Sequence, residues 1–171
     1  MTTICKINLN TVANHLKSLI VGMLIFGMLT GCSTQTFLTE KAGDLLSKDS
    51  LTQEDDLELL MHASAYHLKI SEALLKEIPH HIKLSESVSR GFTQYAFVFL
   101  MDEADRLESE SIQKATLLRS RAAKMLMRAK SSGLETLKLK YAKFEQYLLL
   151  NSTNQTLRLE DNDVGLAYWV M

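Results

Sequence analysis

Residues 97–109 read "FVFLMDEADRLES", and two incompatible folds are open to this stretch. As a buried strand ending in Asp102-Glu103-Ala104-Asp105, it resembles the magnesium-binding strand end of a nucleotide-driven helicase in an α/β domain. As a helix, it places Tyr95, Ala96, Phe99 and Leu100 on one face. Asp102 and Arg106 then stand four apart on a solvated side, a pairing worth a few tenths of a kcal/mol. The strand reading requires a glycine-rich loop closing on Gly-Lys-Ser/Thr, whose amides and lysine hold phosphates. No Gly-Lys pair occurs in the chain, and its Gly-x4-Gly, Gly22 to Gly27, is followed by Met28 inside the N-terminal apolar run. The helical reading stands.

Working outward, the same periodicity continues. After residue 31 the chain has 25 Leu against 8 Val plus Ile, a bias that favours helices over strands. Thr52 and Glu54-Asp55-Asp56 suit a helix N-terminus by capping and by the dipole. Leu57, Leu60, Met61, Ala65, Leu68, Leu75 and Ile78 follow mostly three or four apart, and Pro79 closes that helix. A second helix runs from about Ile82 past Leu100 to Leu107, with Phe92, Tyr95, Ala96, Phe99 and Leu100 on its stripe. Gly91 lets a neighbour approach closely. A third spans roughly 111–132, ended or broken at Gly133. "LETLKLKYAKFEQYLLL" supplies one or two shorter helices, and "NSTNQT" a loop. Asp161-Asn162-Asp163 reads as a cap for the closing "VGLAYWVM". That last helix ends on an apolar face, so the domain is expected to be incomplete or covered there by a partner.

The N-terminus belongs to a different class of segment. Lys6, His15 and Lys17 precede the apolar run Leu19–Leu29, too short to span a bilayer but suited to a secretory signal. Leu29-Thr30-Gly31-Cys32 then resembles the lipobox of bacterial lipoproteins. The resemblance implies a signal peptide over 1–31, lipidation of Cys32, a lipid-anchored tether over 32–50 and an α-helical domain over 51–171. A plain secretory signal with an incidental cysteine, or an uncleaved anchor, is the alternative. Ser33 lacks the Asp that retains such proteins in the inner membrane, which tips the expectation toward the outer membrane. Cys5 would leave with the signal, so the mature chain forms no internal disulfide. Its 17 Lys+Arg against 20 Asp+Glu, a net of 17 − 20 = −3, gives no reason to expect nucleic acid.

Candidate chemistry is sparse. His62 and His67 are five apart, which does not place them on one helix face as a zinc pair requires. His80-His81 follow Pro79 and read as an exposed turn, so no metal site is expected. No serine sits in a Gly-x-Ser-x-Gly elbow and no carboxylate pair has a context that would raise one pKa. Neither catalytic residues nor a cofactor are expected, and the chain does not read as an enzyme. The basic series Lys114, Arg119, Arg121, Lys124, Arg128, Lys130 follows the acidic series Asp102, Glu103, Asp105, Glu108, Glu110. These are either complementary solvated faces or a docking surface for an acidic partner. Phe92, Tyr95, Phe97 and Phe99 crowd within eight residues, as core or as the wall of an apolar cleft.

Four stretches carry a family resemblance: "DDLELLMHASAYHLKISEALLKEIPHH", "GFTQYAFVFLMDEADRLE", "KATLLRSRAAKMLMRAKSSGLETL" and "EDNDVGLAYW". In this order, behind a lipobox, they resemble the TRAP-transporter T-component (TatT) lipoproteins. The resemblance implies an all-α fold of tetratricopeptide-like antiparallel helix pairs forming a partial superhelix. It also implies a non-enzymatic role beside a tripartite ATP-independent periplasmic (TRAP) transport system. The implied partners are a periplasmic solute-binding protein, the membrane through the lipid anchor, and further copies in a homotrimer. The implied ligand is apolar or an organic acid, with Phe92, Tyr95, Phe99, Tyr168 and Trp169 as cleft candidates. A structural helical-repeat scaffold with protein partners alone is the competing expectation. Family members continue past the Tyr-Trp motif with further helices, so the resemblance implies a domain truncated at its C-terminus.

Overall fold

The computed structural model describes residues 17–19, 31–48, 54–149 and 157–171. Most of the apolar leader, the Cys32 side chain, Thr52 and the loop 151–156 lie outside the described residues. The chain divides into two compact units, Met1–Leu38 and Thr39–Met171. Among the described residues every regular element is helical. They run α1 (Gly31–Leu46), α2 (Leu57–Glu77), α3 (Ile82–Tyr95), a π-helical turn (Ala96–Met101) and α4 (Asp102–Leu107). After these come α5 (Ile112–Lys140), α6 (Phe144–Leu149), a 3-10 turn (Asp161–Asp163) and α7 (Val164–Val170). In the first unit, Phe37 and Leu38 of α1 are exposed. The rest of this subsection concerns the second unit.

Side chains set the helix boundaries. Asp56 Oδ1 accepts the amides of Glu58 and Leu59 at 3.0 and 3.1 Å, a cap typically worth about 1 kcal/mol. Ahead of Pro79, the Ile78 amide donates to the Leu74 carbonyl. His81, expected in an exposed turn, is instead a cap: its Nδ1 accepts the Leu84 amide at 3.1 Å. Its side chain is only 8% exposed, and Nε2 faces Asp44 Oδ1 at 3.4 Å and Glu40 Oε2 at 3.7 Å. Gly43 makes this possible, because a Cβ there would lie 2.9 Å from the imidazole ring.

The seam of α3 and its continuation is spaced by fours: Leu84, Val88, Phe92, Ala96, Leu100 and Ala104 are all buried. At 3.6 residues per turn a four-residue step drifts about 40°, so a plain α-helix would carry Ala104 about 200° away from Leu84. The π turn interrupts that drift. Its i→i+5 bonding puts roughly one extra residue into the turn, which winds the seam back toward α5. All three segments therefore pack on the same long helix.

The third helix does not stop at Gly133 but continues to Lys140, contrary to the sequence expectation. Gly133 has no positive φ and terminates nothing; it is where three helices meet. A Cβ there would run into Val170 and lie 2.7 Å from Ser89 Oγ. The facing surfaces are small throughout. Ala115, Ala122 and Ala129 of α5 are buried, and Ser89 Oγ donates to the Ala129 carbonyl at 3.0 Å. A buried hydroxyl reaching a neighbouring helix's backbone requires such close approach. A second apolar cluster joins Leu137, Phe144, Leu166, Ala167 and Val170, holding α7 against α5.

Asp163 does not cap α7 through its side chain, as its position had suggested. Buried at 1% exposure, it accepts the Tyr141 hydroxyl at 2.5 Å and pairs with Lys140 Nζ at 2.8 Å. The Glu160 amide donates to the same tyrosine oxygen at 3.0 Å. The turn leading into α7 is thereby stapled to the C-terminus of α5.

Candidate functional site

Helices α2 and α3 form a hairpin, and a cavity of about 240 Å³ opens between them toward the π turn. Much of its lining is apolar: Leu60 and Leu68 come from α2, and Tyr95, Val98 and Phe99 from the far end of α3 and the π turn. The two rings stack with centroids 5.0 Å apart at 57°, within the range of favourable tilted aromatic pairs. The helices close on each other at Gly91, where a Cβ would meet Leu68 Cδ2 at 2.5 Å. Beyond that pinch Ser64 and Ser87 leave room rather than fill it.

The charged lining residues have one sign. Lys48 and Arg90 line the cavity with His67 and Gln94, and no carboxylate is among the lining residues. The lining is thus divided between apolar and cationic side chains. An anionic head on an apolar body matches that division; a cation or a purely polar solute does not. The volume lies below the roughly 300–1,000 Å³ of drug-sized sites, which limits the occupant to a small molecule.

Of the aromatic cleft candidates, Tyr95 and Phe99 come together at this cavity. Phe92 does not line it: buried in the core, it carries Arg128 over its ring at 5.4 Å. Tyr168 and Trp169 pack edge to face at 5.2 Å and lie outside the cavity lining, with Tyr168 exposed. Sequence reasoning passed over Lys48, Arg90 and Val98 and weighed His67 only as a metal ligand. A signal for most of them existed. Leu60, Ser64, His67 and Leu68 share one face of α2, and Ser87, Arg90, Gly91 and Gln94 share one face of α3.

The acidic exit of "FVFLMDEADRLES" is occupied by its own neighbours. Arg106 pairs with Asp102 at 2.7 Å and with Glu103 at 3.3 Å. Arg119 reaches back from α5 to Asp105 and Glu108, both at 2.8 Å. Its hydrogen bond to Glu108 holds that carboxyl below the usual range and raises the guanidinium's own pKa further. Asp105 and Glu108 thus clasp the end of α4 to α5, while Asp102 and Glu103 are paired within α4. Among the described residues no group of three His, Cys, Asp or Glu side chains is placed to hold a metal ion. No described helix is long and apolar enough to cross a membrane.

Comparison with known proteins bears on what this cavity serves. The family profile described as "TRAP transporter T-component" matches residues 53–171. An uncharacterised protein of Treponema pallidum (strain Nichols) is 30% identical over 123 residues, spanning 70% of this chain but 38% of that protein. No solved structure matches the chain.

Proposed function

Because this chain belongs to the TRAP transporter T-component family, a family of transport components and not of enzymes, we propose that it binds a small amphiphilic organic anion for such a system. In this reading Cys32 carries the lipid that anchors the protein to the membrane on its periplasmic side. The helical body is an arrangement of tetratricopeptide-like pairs, and it engages a TRAP-type solute-binding protein, with assembly as a trimer. Several acyl chains at roughly 0.8 kcal/mol per buried CH₂ make such an anchor firm without a spanning helix.

The observation that carries the ligand assignment is the cavity itself. Leu60, Leu68, Val98 and the Tyr95–Phe99 pair line it together with Lys48 and Arg90. Burying a short alkyl or aromatic body contributes about 25 cal/mol per Å² of apolar area. A charge-assisted hydrogen bond to the head adds orientation.

Isothermal titration of the delipidated protein with hexanoate and with 1-hexanol tests this. Hexanoate is expected to bind at least about tenfold tighter than the alcohol, and Arg90→Gln should erase the difference. Equal affinities would leave an apolar site without anion selectivity. Binding of neither probe, together with no co-purifying ligand in native mass spectra, would favour a scaffold with protein partners alone.

A further inference from the structure

Helix α5 carries a second surface that the cavity does not use. Lys114, Leu117, Arg121, Lys124 and Arg128 follow at steps of three, four, three and four residues, and all are exposed. This seven-residue register places them in one line of roughly 21 Å at 1.5 Å per residue. The buried Ala115, Ala122 and Ala129 occupy a different face. Leu117, 64% exposed, is the apolar member of the line.

Most of the line is uncompensated. Asp102, Glu103, Asp105 and Glu108 are held by Arg106 and Arg119, and Lys114, Arg121 and Lys124 make no ion pair among the described residues, although Glu110 stands four residues before Lys114. Arg128 is the fixed end, its Nε 2.8 Å from Glu72. No acid follows on that side of the helix before Glu135. The whole chain has a net charge of −1, so this concentration of positive charge is local and not a reflection of composition. Like charges three or four apart, here Arg121 with Lys124 and Lys124 with Arg128, oppose helix formation by a few tenths of a kcal/mol per pair. Apart from the pair that Arg128 makes with Glu72, the isolated fold gains nothing from keeping them together.

We propose that this line is the docking surface for an acidic helical face of the periplasmic solute-binding protein, an assignment that rests on the T-component reading above. Charge complementarity names the sign of the partner. The register names its form, since steps of three and four make a straight line along α5 that a second helix can lie beside, meeting the cations with acids at the flanking positions where helix pairs carry their interhelical salt bridges. A lipid surface fits less well: a helix lying in a membrane interface presents a broad apolar face with large side chains, and this line offers one leucine. Steering by such a stripe raises the association rate and makes it salt-sensitive.

The test measures affinity for the purified solute-binding protein of the same transport system at low and at physiological salt. Lys114→Glu, Arg121→Glu and Lys124→Glu are combined in one variant. In a second, Lys76→Glu, Lys83→Glu and Lys143→Glu change the net charge equally elsewhere. The first is expected to weaken binding at least about thirtyfold and flatten its salt dependence; the second should stay within about threefold. Neutralisation of the same three positions to Gln, which introduces no carboxylate that could disturb α5, should weaken binding at least about fivefold.

Equal binding by the parent and both stripe variants overturns the docking surface while leaving the partner intact. So does an equal loss in the charge-matched control. Failure of the parent protein itself to bind overturns the T-component reading, and the docking surface with it. Two other occupants have their own signatures, each with partner binding unchanged. Stripe-dependent binding to phosphatidylcholine vesicles containing phosphatidylglycerol would assign the face to the membrane. A stripe-dependent change in sedimentation would assign it to a second copy of the chain. Either result overturns the proposal.

Discussion

Replacing Gly133 with Ala sets two effects of opposite sign against each other at one atom. In an isolated helix the substitution stabilises by about 0.8–1 kcal/mol, because glycine is the poorer helix former. In this molecule the new methyl would enter a filled space, 2.7 Å from Ser89 Oγ and 3.0 Å from Leu166 Cδ1, with Val170 closer still. Ser89 cannot yield easily, since its hydroxyl is committed to the Ala129 carbonyl. Overpacking of this kind costs typically about 1–3 kcal/mol, so the net expectation is a loss centred on about 1 kcal/mol. Urea unfolding followed by far-UV circular dichroism should show a midpoint lowered by about 0.5–1 M with an unchanged slope. Ser131→Ala, at an exposed position of the same helix, tracks propensity alone and should gain up to about 0.5 kcal/mol. Pairing Gly133→Ala with Val170→Ala should recover part of the loss, giving a favourable coupling of about 1 kcal/mol. A midpoint raised by Gly133→Ala would refute the reasoning, because propensity would then be the only force acting and the helices would not meet there.

Gly91→Ala is the contrasting case. Its added methyl meets only the end of the flexible Leu68 side chain, so stability should change by less than about 0.5 kcal/mol while Leu68 is pushed into the cavity; hexanoate titration should show at least a fivefold weakening. At alkaline pH the staple beneath α7 is the weak point. Burial and then the Asp163 hydrogen bond raise the Tyr141 pKa, and hydrogen bonds to Asp163 and then Glu160 raise that of Lys140. Raised values mean stability that is complete below the unfolded pKa values near 10 and lost as pH rises through the folded ones. Urea midpoints measured across that range should fall, and Tyr141→Phe should flatten the fall while costing about 1.5–3 kcal/mol at neutral pH; a pH-independent midpoint would sink this account. Cys32→Ser should shift the protein from the membrane to the soluble fraction on cell fractionation, and continued membrane retention would refute the lipid anchor.

The helical class was legible because leucine spacing and the missing phosphate loop both pointed the same way at "FVFLMDEADRLES". Helix ends were legible where a cap has a standard partner, as at Asp56 and Pro79. They were not where the contact is tertiary. Gly133 reads as a stop in one dimension and is a crossing point in three, and Asp163 reads as a cap until Tyr141, twenty-two residues earlier, claims it. His81 failed for the same reason, since the carboxylates that face it belong to another helix. The cavity was half legible. Its aromatic wall lies within one helix and shows as crowding, whereas its cationic lining draws on Lys48 and Arg90, forty-two residues apart. The π turn left a trace that helical averaging hides: six buried residues four apart fit no straight α-helix.

That surplus residue has a consequence for how the chain tolerates change. In helical phase, the π turn is an insertion held in register, much as a frameshift is held by a second one. Removing any single residue between Ala96 and Met101 would let an ordinary α-helix form without a break. Everything after it would then arrive in nearly the same phase, because the roughly 100° of the surplus residue is what the wider turn already absorbs, and the carboxylates of α4 would still meet Arg119. A plain α-helix of unchanged length would instead turn α4 by about 100°, so "AFVFLM" tolerates the loss of one residue better than the loss of its π turn.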